Sequence, residues 1–426
     1  MYRCGRRDAS IMSNTQLFKV IDSDIGLFIE DGKAVLAAKT IKHEAGGTGA
    51  QDSSLENVEG LTVGSFGTLS SNYFTNFPGL NYSIGANASN GYAAGGFDID
   101  TPTSPPYTHK RIEKFPFASD TNATNIGDLT QEKSSPQAAS SDTHAYCHGL
   151  TYPPTTGNLE KYSFAQDGNA IAVTPSTGLF LRNGQTNFYY YNGAQGNHNT
   201  EKGFVAGGPT TYNADTIPGQ KIIVSWPFAN EAFSAHGNLA KMRVDTGDVG
   251  SSSSSHGYIA GGGTASDLNP PSPYTYAFAE IAKFSFVNDA NYTTVGDLTA
   301  ARTETTSASS STNGYSMGGR PQYPPFSIFI NNIDRFPFAT DTNAVDYGDL
   351  VTSTPSDPSN PGIVAGRHSM GGSSSATHGY VIGGYKELGA VSVIDQIQKF
   401  QFTSSGSATD VGNLATKSAR QGGAQG

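Results

Sequence analysis

One phrase of sequence recurs six times along this chain and limits what the chain can fold into. In its fullest form, an Ile-x-Lys-Phe-x-Phe segment is followed after a polar stretch by Gly-Asp-Leu or Gly-Asn-Leu. In four copies the second Phe precedes the Leu by 12 residues, as Phe286 precedes Leu298. The first aromatic residue of the segment recurs at Phe115, Tyr162, Trp226, Phe284, Phe336 and Phe400. These intervals of 47 to 64 residues are typical of propellers and solenoids.

A second landmark precedes each copy. It is a Gly-Tyr-x-x-Gly-Gly segment, as in Gly257–Gly262, with His144–Gly149 as a degenerate example. The pattern therefore predicts the same order of elements in each unit: a Ser- and Arg-rich strand, the Gly-Tyr strand, a long loop, the Lys-Phe-x-Phe strand and the Gly-Asp-Leu strand. The Gly-Gly pair permits positive φ where the chain enters the loop. Proline at positions 116, 227 and 337 predicts that the third strand bulges or ends there, because proline cannot donate a ladder hydrogen bond.

This unit resembles the kelch repeat, which has four strands, a Gly-Gly pair ending the second and an aromatic residue in the third. The resemblance covers about residues 75–414 and departs in the fourth strand, where kelch usually has Trp. It implies an all-β fold: a kelch-like β-propeller of six four-stranded blades, or seven if residues 61–90 contain a degenerate unit. Alternating aromatics such as Phe284 and Phe286 would fill the wedge between neighbouring blades. Ala419–Ala424 would supply a first strand that pairs near residue 91 and closes the ring.

The first 60 residues lie outside the repeat, and we predict an N-terminal attachment arm over 1–60 and the propeller over 61–426. Asp31-Gly32 separates two apolar runs and predicts a hairpin, while residues 44–60 are expected to form a linker. The alternative is an ordered arm packed on the propeller, and Met12 is a second candidate start. The residues expected to attach the arm to its particle are Leu27, Phe28, Ile29, Val35 and Leu36.

Composition excludes several classes of function. The formal charge of -10 and the absence of a basic run argue against binding nucleic acid. Two cysteines exclude a disulfide framework and the usual zinc sites. No apolar run is long enough to insert in a membrane, and the basic N-terminus lacks the apolar segment of a signal peptide. A polar β protein without an export signal fits a virion component that is released by lysis.

The loops between the second and third strands of a propeller open on one face. Here they are long and rich in proline and aromatic residues, which offer rigid contact area at low entropic cost. We therefore expect them to bind a saccharide or a protein, the alternative being that the rings only cover the blade ends. The predicted ligand-binding residues are Tyr107, Tyr274, Tyr276, Tyr323, Phe326 and Tyr385.

Other polar residues recur in equivalent places of several repeats, which favours a structural role over a metal-binding or catalytic site. The turns at Asp120–Asn122, Asp289–Asn291 and Asp341–Asn343 could supply calcium ligands, but Asx turns explain them without a metal. His256 and His378 precede Gly-Tyr in equivalent units and His144 takes the matching place in the degenerate copy, and such symmetry favours a structural hydrogen bond. Cys147 beside a Tyr could suggest a radical copper site, but no further ligands accompany it. We predict no catalytic residue, metal or cofactor.

The phrase Phe-Pro-Phe-Ala-x-Asp-Thr-Asn-Ala, present at residues 115–123 and 336–344, resembles repeats in structural proteins of bacteriophages that infect marine cyanobacteria. The resemblance implies a non-enzymatic virion protein on the particle surface, a tail or head fibre whose propeller binds a host-surface glycan or protein. Its arm would bind other virion proteins, and the chain is compatible with a homo-oligomer. The alternatives are a capsid decoration protein, a kelch-like oxidase or glycan hydrolase, and an intracellular scaffold.

Overall fold

The computed structural model describes an all-β chain. No described residue lies in a helix, so the described part of the chain has no helix able to cross a membrane. The described residues are 9–13, 16–20, 26–30, 33–37, 41–44, 88–98, 108–151, 158–173, 195–207, 222–241, 243, 246–265, 275–287, 292–321, 329–351, 366–388 and 390–426.

The chain divides into two compact units, Met1–Tyr82 and Ser83–Gly426. The predicted boundary between residues 60 and 61 lies outside the described residues. The first unit contains a three-stranded sheet in the order β1-β2-β5 and a hairpin of β3 and β4. Its strands are β1 (Ala9–Ser13), β2 (Gln16–Val20), β3 (Gly26–Glu30), β4 (Lys33–Ala37) and β5 (Ile41–Glu44).

The hairpin predicted at Asp31-Gly32 is confirmed. Glu30 pairs with Lys33, which leaves two residues in the turn, and Asp-Gly suits such a turn because both central residues need positive φ in its commonest form. The five predicted attachment residues lie on the two strands of this hairpin. Their role in attachment stays a prediction.

The second unit is built from short antiparallel strands. Those in its first half are β6 (Asn90–Phe97), β7 (Thr108–Pro116), β8 (Thr124–Ser140), β9 (His144–Thr151), β10 (Asn158–Ser163), β11 (Ile171–Ala172), β12 (Gln195–His198), β13 (Lys202–Ala206), β14 (Ile222–Pro227), β15 (Ser234–Asn238), β16 (Ser251–Ser252), β17 (His256–Ala260), β18 (Gly263–Ala265) and β19 (Thr275–Ala277). Those in its second half are β20 (Glu280–Ser285), β21 (Thr293–Asp297), β22 (Thr306–Ser309), β23 (Asn313–Met317), β24 (Asn332–Pro337), β25 (Val345–Asp349), β26 (Arg367–His368), β27 (Gly371–Ser374), β28 (His378–Ile382), β29 (Tyr385–Leu388), β30 (Ala390–Val393), β31 (Gln396–Gln401), β32 (Thr409–Asn413) and β33 (Gly422–Gln425).

These strands form six groups of four, one for each copy of the repeat, which we call sheets 1 to 6. Sheets 1 and 2 share the long strand β8 within one seven-stranded arrangement. A separate hairpin, β18-β19, and a three-stranded sheet, β26-β29-β30, extend from sheets 4 and 6. In strand order the six are β33-β6-β7-β8, β8-β9-β10-β11, β12-β13-β14-β15, β16-β17-β20-β21, β22-β23-β24-β25 and β27-β28-β31-β32.

The last strand of the chain completes the first sheet. Gly422 pairs with Ala94 and Gln425 with Gly91 in an antiparallel ladder, so the predicted pairing of the C-terminal segment near residue 91 is confirmed. Sheet 1 therefore takes its first strand from one end of the sequence and its other three strands from the opposite end of this unit.

The local predictions within the repeat are also confirmed. The third strands β7, β14 and β24 each end at the predicted proline. The Gly-Gly pairs adopt positive φ, as at Gly318 (59°) and Gly319 (112°). A Cβ on Gly318 would come 2.5 Å from the Arg367 backbone oxygen, so only glycine fits this turn without strain.

Aromatic stacking joins each sheet to the next. The Tyr or Phe of the second strand packs against the second Phe of the neighbouring repeat, with ring centroids 4.6 to 5.0 Å apart. Five of these ring pairs are stacked, and the remaining pair, Tyr92–Phe164, is tilted. The sixth contact runs from sheet 6 back to sheet 1, because Tyr380 stacks on Phe117. The other five pairs are Tyr92–Phe164, Tyr146–Phe228, Phe204–Phe286, Tyr258–Phe338 and Tyr315–Phe402.

Serine side chains explain why the first strands are polar although they are buried. The backbone N–H of Ser252 donates to the Ser309 hydroxyl of the next sheet, and Ser309 N–H donates to Ser374, both at 2.9 Å. The Ser373 hydroxyl donates to the Ala424 carbonyl of sheet 1 at 2.9 Å. First strands lie at a sheet edge, where buried backbone groups need partners, and short hydroxyl side chains supply them.

Buried ion pairs hold the third strands. Arg302 pairs with Asp334, and all four side chains of this pair and of Lys133 and Glu160 are fully buried. Asp334 also accepts the Thr299 backbone N–H of sheet 4 at 2.8 Å. Asp334, the acidic residue of the repeat phrase, therefore neutralises the buried Arg302. It also accepts a hydrogen bond from the link that follows the last strand of the preceding sheet.

Candidate functional site: one face of the repeat unit

The long connections between second and third strands emerge at one end of the six sheets, which we call the loop face. The links from the fourth strand of one sheet to the first strand of the next reach the same end. Three links pair with the 2–3 connection of their own sheet: Thr303 bridges Arg320, Ala419 bridges Phe97, and His368 pairs with Tyr385. The opposite end, the turn face, carries the tight 1–2 and 3–4 turns.

The structure describes two of the six predicted ligand-binding residues. Tyr107, Tyr274, Tyr323 and Phe326 lie outside the described residues. Tyr276 pairs with Thr264 in the β18-β19 hairpin on the loop face. Tyr385 opens β29 on the same face, and its ring is buried against neighbouring side chains.

Tyr385 belongs to a cluster of five side chains, of which the three rings are stacked. The His368 ring stacks between Tyr385 and Phe329, with centroids 5.1 and 4.9 Å away. The Arg420 guanidinium lies over Tyr385 and the Arg320 guanidinium lies over Phe329, each 5.8 Å from the ring centroid. Cation–π attraction favours both arrangements. We call Arg320, Phe329, His368, Tyr385 and Arg420 the arginine–aromatic column.

A single carboxylate spans this column. The Glu304 Oε2 atom lies 2.6 Å from His368 Nδ1, and the Ser369 hydroxyl donates to the same oxygen at 2.5 Å. The other oxygen, Oε1, lies 3.2 Å from Arg320 Nη1 and 4.0 Å from Arg420 Nη2. Glu304 therefore joins the 4–1 links of sheets 5, 6 and 1.

Electrostatics keep the carboxylate charged. Burial by itself would raise the pKa of Glu304, but His368, Arg420 and Arg320 outweigh it and hold the pKa well below its ordinary value. Burial lowers the pKa of His368, against the opposing effect of Glu304. The column therefore holds an ionised carboxylate, which accepts a hydrogen bond from His368 Nδ1–H.

The Ser369, His368 and Glu304 contacts differ from those of a hydrolase. In a nucleophilic triad one ring nitrogen accepts the serine proton and the other donates to the carboxylate. Here His368 Nδ1 faces both the Ser369 hydroxyl, at 3.1 Å, and Glu304. The second ring nitrogen takes part in neither contact, so this arrangement orients side chains and does not activate the hydroxyl.

The Asp-x-Asn turns on the turn face connect neighbouring sheets. Asp341 pairs with Lys283 of the preceding sheet at 2.6 Å, and Asn343 accepts the Asp297 backbone N–H at 3.1 Å. The same two contacts recur in sheets 1 and 2, where the acidic residues are Asp120 and Asp167. Among the described residues no group of three or more metal-binding side chains is placed to hold an ion.

The histidines before the second-strand motif do make a repeated structural hydrogen bond. The Nδ1 atoms of His144, His256 and His378 lie 2.8 to 2.9 Å from the hydroxyl of the preceding Thr or Ser. Cys147 is buried, and burial raises the pKa of its thiol to about 12. An inert thiol of this kind is a packing residue of sheet 2.

Sequence reasoning missed Glu304, Arg320, His368 and Arg420. Glu304 and Arg420 occupy equivalent places before their first strands, and both have positive φ, at 54° and 55°. Ser135 and Ser369 share this place and conformation with short side chains. The signal was a departure from the repeat: two long charged residues at a position that holds serine in sheets 2 and 6.

No protein-family model matches the chain, and no curated protein matches it.

Proposed function

We propose that sheets 1 to 6 are the blades of a kelch-like six-bladed β-propeller. Six repeats of four strands, the pairing of β33 with β6 and six aromatic contacts between successive sheets support this proposal. The stack of Tyr380 on Phe117 gives sheet 6 the same neighbour contact that every other sheet has. Radial packing of this kind leaves short, protected strand edges.

We further propose that the protein is a non-enzymatic virion component whose propeller binds the host surface. The observation that carries this proposal is that the two ends of the second unit differ. The chain enters the second unit at the turn face, where the Ser89 backbone N–H donates to the Gly426 backbone carbonyl at 2.9 Å. The proline- and aromatic-rich connections emerge at the opposite end. An attachment protein needs a binding surface that the point of chain entry leaves free.

The N-terminal hairpin is the proposed anchor. Its apolar residues, Leu27 to Ile29 and Val35 to Leu36, would bind other virion proteins, and the loop face would bind a glycan or protein of the host. The resemblance of the repeat phrase to structural proteins of cyanobacterial bacteriophages supports a position on the particle surface. A fold alone does not specify an activity, so the proposal depends on the difference between the two ends and on the loop chemistry.

The proposal is tested by binding of the labelled full chain to intact host cells. The test variant changes Tyr274, Tyr276, Tyr323 and Phe326 to Ala. The matched control changes three exposed apolar residues of the outer strands and turns, Ile171, Val287 and Val345, to Ala. We expect the test variant to lose binding and the control to keep it. Absence of binding by the folded wild-type chain would contradict the proposal and favour a decoration role.

A further inference from the structure

We propose that the loop face recognises an oxyanion-bearing saccharide, with a carboxylate or sulfate group bound by Arg320 and Arg420. This inference rests on the proposed function and names the class of ligand. It follows from which groups of the arginine–aromatic column reach solvent and from how they are held.

The solvent-facing part of the column is cationic. The side chains of Arg320 and Arg420 are 26% and 31% exposed, whereas Glu304 is 13% exposed. Tyr385, Phe329 and His368 are buried. Asp98, whose charge also acts on Tyr385, is buried as well. A ligand that approaches this part of the loop face therefore meets guanidinium groups first.

The two guanidinium groups are close together and held in place. Each lies over an aromatic ring and within 4.0 Å of the same Glu304 oxygen. Fixing a long side chain in advance reduces the entropy lost on binding. Planar guanidinium groups match the geometry of carboxylate and other oxyanions, and they form charge-assisted hydrogen bonds.

The backbone around the column is also specialised. Glu304 and Arg420 both adopt a left-handed conformation, which is costly for residues other than glycine. The Arg420 backbone N–H donates to the Ser369 carbonyl at 2.7 Å, and the Ser369 backbone N–H donates to the Glu304 backbone carbonyl at 2.9 Å. These hydrogen bonds fix the three links together, so the charged side chains project from a rigid base.

The chain offers a matched control on the turn face. Lys283 and Lys399 pair with carboxylates as the two arginines do, and both side chains are 23% exposed. Changing either pair to Gln removes two positive charges from a protein with a formal charge of -10. The two double variants therefore have the same net charge, and they differ only in the face of the unit from which the positive charges are removed.

The test measures binding of the full chain to three polymers: alginate as a uronate, dextran sulfate as a sulfate and dextran as a neutral saccharide. We expect the wild type to prefer alginate or dextran sulfate to dextran. Arg320→Gln/Arg420→Gln should weaken that binding about tenfold or more, the loss of one charge-assisted hydrogen bond or more. Lys283→Gln/Lys399→Gln should leave it nearly unchanged. Preference for one charged polymer identifies the oxyanion.

Equal weakening by the two double variants would overturn the proposal, because it would indicate diffuse charge attraction. So would the absence of preference for the charged polymers. Cell binding that survives Arg320→Gln/Arg420→Gln would overturn it and leave the proposed host attachment standing. If the Gln variant fails to fold, Arg320→Lys/Arg420→Lys keeps the charge and loses the planar fork. Unchanged affinity of that variant would also contradict the proposal.

Discussion

Removal of the Asp334 carboxylate is expected to destabilise the repeat unit severely. Asp334 and Arg302 are both fully buried and paired, so Asp334→Ala leaves a guanidinium charge inside the protein. The Thr299 N–H and hydroxyl, each 2.8 Å from the carboxylate, lose their acceptor as well. Breaking a buried pair in this way costs about 3–5 kcal/mol.

Urea denaturation followed by the fluorescence of Trp226 measures this loss. Trp226 is the chain's one tryptophan and lies buried in sheet 3, away from the mutated sheet 5. It therefore reports whether damage in one sheet destabilises the others. With ordinary denaturant slopes, a loss of this size lowers the urea midpoint by roughly 1 M or more.

Two variants separate the buried charge from other effects. Asp341→Ala removes a carboxylate that is 52% exposed and paired with Lys283, and it should cost no more than about 1 kcal/mol. Arg302→Met/Asp334→Leu removes both buried charges and should recover about 2 kcal/mol or more of the loss, the orphaned Thr299 N–H accounting for much of the remainder. If Asp334→Ala shifted the midpoint no further than Asp341→Ala, the reasoning would be refuted.

Three further predictions concern two contacts between sheets and one buried histidine. Tyr380→Ala removes the stack on Phe117 between sheets 6 and 1 and should cost about 3–5 kcal/mol, measured by the same urea assay; a loss below about 1 kcal/mol would argue against tight packing there. Ser405 occupies the place of Asp341 in sheet 6, so Ser405→Asp should pair with Arg335 and raise the midpoint slightly, by up to about 1 kcal/mol, an effect that high salt should abolish. Burial lowers the pKa of His148 to about 3 in the folded protein. As the pH drops below the ordinary value of 6.5, the His148 imidazole therefore binds a proton in the unfolded chain but not in the folded one, and the free energy of unfolding falls. This group should cost about 2 kcal/mol at pH 5 relative to pH 7, and His148→Gln should show a correspondingly smaller difference between the two midpoints.

The sequence by itself determined the repeating architecture. Alternating aromatics, Gly-Gly pairs and prolines act through local rules of side-chain direction, positive φ and missing donors. Those rules do not depend on distant residues, so the six strand groups, the proline strand ends and the Asp31-Gly32 turn could be predicted. The pairing of the C-terminal segment near residue 91 followed because that segment repeats the pattern of a first strand.

Only the tertiary structure decided which polar groups meet. Glu304, His368 and Arg420 are separated by 64 and 52 residues in the sequence, and they meet because equivalent links of three successive sheets converge at one end of the unit. Asp341 and Lys283 likewise meet across a sheet boundary, which no local pattern specifies. A repeat predicts its own unit well, but contacts between units depend on how the sheets are packed together.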